Sequence, residues 1–189
     1  MLGRIVIKHG NRLLRITLIG PECTGKSTLS KELGKRLKAP VSKEAAREYT
    51  AQKKSSLAPE DVEPIARAQI LSEDNAIERA DTLVIHDTDL LSTCVYCKLY
   101  FQSVPEWLTE RAHSRMADHY LLCDIDIPWI ADGLQRTPVT PEERLQHLDE
   151  FSATLKRYCC SVDILRGNRA ERLETALNAI RLWRQQDSL

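Results

Sequence analysis

The sequence has 189 residues, and its 27 basic and 27 acidic side chains give a formal net charge of zero. Hydrophobic residues make up 42 % and charged residues 29 %, a composition typical of a soluble globular protein. This balance of charge does not favour nucleic acid or a membrane surface as a partner. No run approaches the roughly 18 apolar residues of a membrane-spanning helix, and the N-terminus lacks the pattern of a signal peptide. We therefore expect a cytoplasmic protein with a single domain, residues 1–189.

Five short apolar runs alternate with longer amphipathic stretches along the chain. The runs lie at residues 13–20, 39–44, 81–87, 119–124 and 161–167. Their nearly continuous apolar character predicts strands buried on both faces, as in a parallel sheet, and the intervals between them favour helices. The expected fold is α/β, a three-layer sandwich with about five parallel strands. Residues 1–12 read as an extra strand and a turn ahead of the first core strand.

Three helix starts carry capping signals. Thr140 precedes a proline and has Glu143 three residues later, which predicts a capping box. Asn168 and Glu171 stand in the same relation. The segment APED, residues 58–61, places a proline and two acids where another helix should begin.

The chain has six cysteines, and we expect them to be reduced and mostly buried. Cys94 and Cys97 form a C-x-x-C pair, for which redox activity and metal binding are the alternatives. A second pair at matching spacing is missing, so the pattern does not indicate a zinc site.

The segment GPECTGKS, residues 20–27, fits the phosphate-loop pattern G-x-x-x-x-G-K-[ST] in full. Its glycines allow backbone N–H groups to point at phosphates, Lys26 adds a positive charge for them, and Ser27 offers a hydroxyl to Mg²⁺. An apolar strand precedes the loop and a helical pattern follows it. We therefore predict an ATP or GTP site formed by Gly20, Glu22, Cys23, Thr24, Gly25, Lys26, Ser27 and Thr28. Because Glu22 would repel phosphate, its side chain is expected to point away from it.

Two aspartates, Asp87 and Asp89, follow the third core strand. Ligands of open parallel sheets bind at the carboxyl ends of the strands. There Asp87 would hold Mg²⁺ or take a proton from an attacking hydroxyl, and Asp89 would bind the hydroxyls of the acceptor. The alternative is that both residues cap the next helix.

Residues 128–144 contain Gly133, several prolines, Arg136 and Arg144. The two arginines are suited to a mobile lid that neutralises a phosphoryl group in transfer. A polar connecting loop with solvated arginines is the alternative.

The chain resembles the nicotinamide riboside kinase domain of NadR-type proteins from about residue 15 to residue 172. The resemblance rests on GPECTGKST (20–28), KEAAREY (43–49), HDTDLLST (86–93) and IPWIADGLQR (127–136). It implies a nucleotide-kinase-like P-loop fold with a lid. The implied reaction transfers the γ-phosphoryl group of ATP, with Mg²⁺, to the 5′-hydroxyl of nicotinamide riboside.

The resemblance also implies roles for individual residues. Asp87 would be metal-associated or the base, and Asp89 a ribose contact. Trp129 and Asp132 would lie on the substrate side, with Arg136 and Arg144 on the lid. Residues 166–172, including Arg169, would lie near the adenine.

The substrate's pyridinium cation requires an aromatic face and carboxylates, which Trp129 would provide with Tyr96 and Glu44 from other strand ends. Packing of Trp129 in the core and pairing of Glu44 with Arg47 are the alternatives.

Gln135 stands where the family pattern has arginine, so the choice of lid arginine stays open. NadR-type proteins carry an adenylyltransferase domain ahead of the kinase, and this chain is expected not to make NAD unaided.

Two other functions remain: a kinase for another nucleoside or small alcohol, and a nucleotide-sensing P-loop regulator with a protein partner. The oligomeric state is left open, with a homodimer as one option.

Overall fold

The computed structural model describes residues 7–8, 11–53, 55–129 and 140–186. Its centre is a sheet of five parallel strands in the order β4-β5-β3-β6-β7. The strands are β3 (Leu14–Ile19), β4 (Val41–Ser42), β5 (Leu83–Asp87), β6 (His119–Cys123) and β7 (Val162–Leu165). All five predicted strands are confirmed, and so is the α/β fold class.

In the described part of the chain, seven helices connect and cover these strands. They are α1 (Lys26–Leu37), α2 (Ala45–Lys53), α3 (Val62–Arg79), α4 (Leu90–Phe101), α5 (Glu106–His113), α6 (Pro141–Arg157) and α7 (Arg169–Gln186). A 3₁₀ turn, Pro59–Asp61, leads into α3. Before the sheet, β1 (Ile7–Lys8) pairs with β2 (Asn11–Arg12) in an antiparallel hairpin.

Apolar side chains fill both faces of the sheet. One core cluster joins the central strands to α1 and α7 through residues such as Leu33 and Ile180. A second cluster packs Val95 of α4 and Phe151 of α6 against the other face. Within the described ranges, no helix combines the length and the apolar character needed to cross a bilayer.

The edge strand β7 departs from the prediction that every strand is buried on both faces. Val162 and Ile164 are 40 % and 46 % exposed, whereas Leu165 is buried. Since β7 ends the sheet, only the face that carries Leu165 is covered.

The predicted capping boxes are present. The Thr140 hydroxyl accepts the N–H of Glu143, and the Glu143 carboxylate accepts the N–H of Thr140. Asn168 and Glu171 make the corresponding pair at the start of α7. The third predicted start, at residues 58–61, is the 3₁₀ turn that precedes α3.

All six cysteines are free, but only Cys94, Cys97 and Cys123 are buried, and Cys159 is exposed. Burial raises the pKa of Cys94 to about 12 and that of Cys97 to about 11. Both thiols of the C-x-x-C pair are therefore protonated at neutral pH, which is unfavourable for redox or metal chemistry.

Candidate active site

The phosphate loop connects β3 to α1 and turns through three residues of positive φ: Gly20 (135°), Cys23 (56°) and Gly25 (80°). At Gly20 a Cβ atom would lie 2.7 Å from the carbonyl oxygen of Cys123 on the neighbouring strand β6. Glycine is therefore required there, because the loop passes so close to another backbone. Gly20 and Gly25 both have the backbone conformation that favours glycine, and their role in phosphate binding stays a prediction.

Lys26, the first residue of α1, is buried against the loop. Its Nζ donates hydrogen bonds to the carbonyl oxygens of Gly20 (2.8 Å) and Pro21 (2.6 Å). The Thr24 hydroxyl also donates to Pro21, over 2.7 Å. The ammonium group is thus held within the loop, where a phosphate would need its charge. Thr28 lies exposed in the first turn of α1.

Asp87 ends β5 and lies beside the phosphate loop. Burial raises the pKa of its carboxyl, whereas the hydrogen bond from the Ser27 side chain acts in the opposite direction. Its Oδ1 atom is buried and has no hydrogen-bond partner among the described residues. The Ser27 hydroxyl and the Asp87 carboxylate together offer the oxygen donors that Mg²⁺ prefers. Asp87 does not cap the next helix, which is the role of Asp89.

Asp89 lies two residues beyond Asp87 and is directed into the protein. Its Oδ1 caps α4 by accepting the N–H groups of Leu91 (3.0 Å) and Ser92 (3.2 Å). Its Oδ2 accepts the Tyr120 hydroxyl over 2.9 Å. Asp89 therefore caps α4, as the alternative interpretation proposed. Its contact with a ribose stays a prediction, and a ribose hydroxyl would have to share carboxylate oxygens that are already hydrogen-bonded.

Thr88 separates the two aspartates and has a positive φ of 66°. This left-handed residue lets the carboxylates of Asp87 and Asp89 serve different neighbours. A β-branched residue rarely adopts this conformation, and such outliers collect at functional sites.

Acidic and aromatic side chains meet at the edge of the phosphate loop. Tyr100 of α4 donates a hydrogen bond to Glu22 over 3.4 Å, and it stacks on Tyr96 with ring centroids 5.6 Å apart. Although Tyr100 as a whole is 47 % exposed, desolvation of its hydroxyl and the charges of Glu22 and Glu44 raise the pKa of that group. Glu22 thus faces Tyr100, and its orientation relative to bound phosphates stays a prediction.

Glu44 follows β4 and forms an ion pair with Arg47, with Nε and Oε2 3.3 Å apart. This pair is the alternative that the sequence left open. The charge of Glu44 nevertheless acts on both Asp87 and Tyr100. Glu44 is therefore close to both groups, and its substrate contact stays a prediction.

The predicted lid is described only at its two ends, so Asp132 and Arg136 lie outside the described residues. At the first end, Trp129 is half-buried, and its Nε1 is buried without a partner in the described part of the chain. At the second end, Arg144 Nη2 donates to the carbonyl oxygen of Ile127 over 3.2 Å. Arg144 thus reaches back to the segment that precedes Trp129.

Arg169, predicted to bind ATP, has a side chain that is 68 % exposed and pairs with Glu32 of α1 over 2.7 Å. The buried arginine of this segment is Arg172. It donates to the carbonyl oxygens of Thr24 (2.8 Å), Asp124 (3.0 Å) and Gly167 (2.9 Å) and also binds Asp126. The sequence offered no signal to choose Arg172 over Arg169, because both occur in one polar segment.

The sequence profile of the AAA domain family matches residues 15–172. This chain belongs to the AAA domain family. Two curated relatives are the trifunctional NAD biosynthesis/regulator proteins NadR of Salmonella typhimurium and Escherichia coli. Each is 27 % identical over 124 residues, which is 64 % of this chain and 30 % of the relative. The chain therefore spans less than a third of the length of these relatives.

Several solved structures share the fold of this AAA domain. A NadR protein crystallised with NR has a TM-score of 0.74 and 26 % identity, over 89 % of this chain and 50 % of that one. Deoxyadenosine kinase from M. mycoides has a TM-score of 0.64 and 16 % identity, over 89 % and 99 %. The AAA domain described here therefore has a nucleoside and nucleotide kinase fold and is related to NadR, as the sequence motifs predicted.

Proposed function

We propose that this chain transfers the γ-phosphoryl group of ATP to the 5′-hydroxyl of nicotinamide riboside and so forms nicotinamide mononucleotide. The observation that carries the proposal is the contact between the phosphate loop and α4. There the Glu22 carboxylate accepts a hydrogen bond from the Tyr100 hydroxyl, and the Tyr100 ring stacks on Tyr96. The charge of Glu44 also acts on the Tyr100 hydroxyl. Aromatic faces and carboxylates are what a pyridinium nucleoside requires, and the NadR crystallised with NR supports the same choice.

In this proposal the donor phosphates lie in the loop of residues 20–27, with the charge of Lys26 beside them. Ser27 and Asp87 would hold Mg²⁺, which supplies positive charge to the phosphate oxygens when bound. Asp87 either serves the metal in this way or accepts the proton of the attacking hydroxyl, and its raised pKa favours the second role. Arg144 and Arg136 would neutralise the phosphoryl group, and Trp129, Asp132, Glu44 and Asp89 would bind the acceptor.

The test is an ADP-release assay with nicotinamide riboside, nicotinic acid riboside, uridine, cytidine and deoxynucleosides as acceptors. Nicotinamide riboside is expected to stimulate ADP release most. Lys26→Ala and Asp87→Asn should each lower kcat about 100-fold or more, because Lys26 supplies positive charge to the transition state and Asp87 holds Mg²⁺ or accepts the proton. The control is Asp81→Asn, an exposed aspartate just before β5, which should retain wild-type activity.

Greater stimulation by another nucleoside would overturn the choice of acceptor and keep the kinase assignment. Slow hydrolysis that no nucleoside stimulates would favour the regulator. Recovery of Asp87→Asn at high Mg²⁺ would assign Asp87 to the metal rather than to the proton.

A further inference from the structure

A buried polar pair, Gln69 and Glu73, lies one turn apart on α3 beneath the acceptor side of the candidate site. The two side chains are 2 % and 0 % exposed. Gln69 Oε1 accepts the N–H of Ala45 over 3.0 Å, and Gln69 Nε2 donates to the Thr88 carbonyl and to Glu73 Oε1, each over 3.2 Å. One amide group is thus bonded to the start of α2, to Thr88 after β5 and to Glu73 of its own helix.

These hydrogen bonds connect the two acidic segments of the candidate site. Ala45 is the first residue of α2 and directly follows Glu44. Thr88, the left-handed residue, separates Asp87 from Asp89. Its N–H donates to Leu18 on β3 over 3.1 Å, and its carbonyl is held by Gln69. The side chain of Gln69 therefore fixes the backbone next to Glu44 and next to Asp87 at the same time.

Ala45, Thr88 and Glu73 together determine which way the amide of Gln69 faces. The Ala45 N–H can only donate, so it requires the oxygen of the amide, and the NH₂ group then faces the acceptors Thr88 and Glu73. Glu73 is held in turn by Arg115, whose Nε lies 3.1 Å from Glu73 Oε2 and whose Nη2 lies 2.6 Å from Asp74. A flipped amide would oppose like groups at Ala45 and at Thr88.

From this geometry we infer that Gln69 is a positioning residue for the acceptor side of the reaction, oriented by Glu73. It holds the turn that carries Asp87 and the start of the helix that follows Glu44 at a fixed separation. The inference builds on the proposed phosphotransfer but not on which nucleoside is the acceptor. Gln69 touches no substrate in this account and acts through the backbone of Thr88 and Ala45.

The kinetic test compares Gln69→Leu with Ser72→Ala, using whichever nucleoside stimulates ADP release most. Ser72 is the matched control because its hydroxyl bonds both the N–H (2.9 Å) and the carbonyl (3.1 Å) of Lys43. It thus ties α3 to the same β4–α2 junction without touching Thr88. Gln69→Leu should lower kcat about 10- to 100-fold with the KM for ATP within about twofold, because misplacement of about 1 Å has effects of this size. Ser72→Ala should leave both parameters within that twofold range.

A second variant, Gln69→Glu, keeps the oxygen that faces Ala45 and replaces the donor that faces Thr88. The carboxyl can donate there only when it carries a proton. Its kcat relative to wild type is therefore expected to rise as pH falls, and a flat ratio would contradict the inference. Loss of packing alone would not produce this dependence.

Amide hydrogen exchange provides a readout that needs no acceptor. In Gln69→Leu the Ala45 amide and those of residues 88–92 should exchange faster than in wild type, whereas Ser72→Ala should affect only the Lys43 amide. Wild-type exchange at Ala45, or an unchanged kcat in Gln69→Leu, would overturn the inference. If exchange changes as expected but no nucleoside is phosphorylated, the proposed function fails and the positioning contacts stand.

Discussion

At the scale of single residues, Glu73 shows how burial changes a carboxyl. Burial and the negative charge of Asp89 raise the pKa of Glu73 to about 7. The charges of Arg115 and Arg15 and the hydrogen bond from Gln69 act in the opposite direction. A carboxyl of this type titrates at 4.5 when unperturbed. The folded protein therefore holds a proton on Glu73 between these two values, where the unfolded chain has lost it.

This difference predicts a pH dependence of the free energy of unfolding. Because the pKa of Glu73 is higher in the folded protein, its proton stabilises the folded state fully below pH 4.5. This stabilisation is lost as pH rises through 7. The gap between the two values corresponds to about 3 kcal/mol. Urea unfolding between pH 5 and 8 should show wild type losing roughly 2–3 kcal/mol that Glu73→Gln does not lose.

The control is Glu78→Gln, at an exposed position of the same helix α3, whose stability should follow wild type across the pH range. If wild type and Glu73→Gln lose stability in parallel, Glu73 is not the group that titrates.

At the scale of elements, helix α6 begins at the end of the predicted lid. The Thr140 hydroxyl accepts the N–H of Glu143 over 3.1 Å, and Arg144 in the same turn donates to the Ile127 carbonyl. The capping box therefore fixes the first turn of α6 and the position from which Arg144 reaches the segment before Trp129. This local signal was readable from the sequence, since a capping box needs only four consecutive residues.

Thr140→Ala should lower the free energy of unfolding by about 1 kcal/mol, because the N–H of Glu143 loses its acceptor. Thr140→Ser keeps a hydroxyl and should remain close to wild type. Chemical denaturation of the three proteins measures the difference. Equal loss in both variants would show that the methyl group of Thr140, rather than its hydroxyl, stabilises the turn.

At the scale of the whole molecule, Arg172 joins segments that are far apart in the chain. Its guanidinium binds the phosphate loop through Thr24, the segment after β6 through Asp124 and Asp126, and the turn after β7 through Gly167. The carboxyl edge of the sheet is thus tied together by one buried cation.

Arg172→Met should lower the free energy of unfolding by about 3 kcal/mol or more, because the buried carbonyls and Asp126 lose their donor. It should also weaken ATP binding, measured by calorimetry, since Thr24 is released. Arg169→Met removes only an exposed ion pair with Glu32 and should cost no more than about 1 kcal/mol in unfolding. Similar losses of stability in the two variants would contradict the buried role of Arg172.

The sequence alone determined the features that depend on neighbours in the chain. Apolar runs specified the five strands, the glycine and lysine spacing specified the phosphate loop, and capping residues specified where α6 and α7 begin. Order along the sheet was not readable, because the same runs are compatible with several strand orders, and the exposed face of β7 follows from its place at the edge.

Only the tertiary structure decided which side chains meet. Glu22 and Tyr100 are 78 residues apart in the chain, yet they form the contact on which the proposal of a cationic acceptor rests. Gln69 and Glu73 read as ordinary polar positions of an amphipathic helix until the fold buried them against Ala45 and Thr88. Helix and strand patterns are encoded over one or two turns of chain. Contacts between elements depend instead on strand order, on helix packing and on the direction that each backbone gives its side chains.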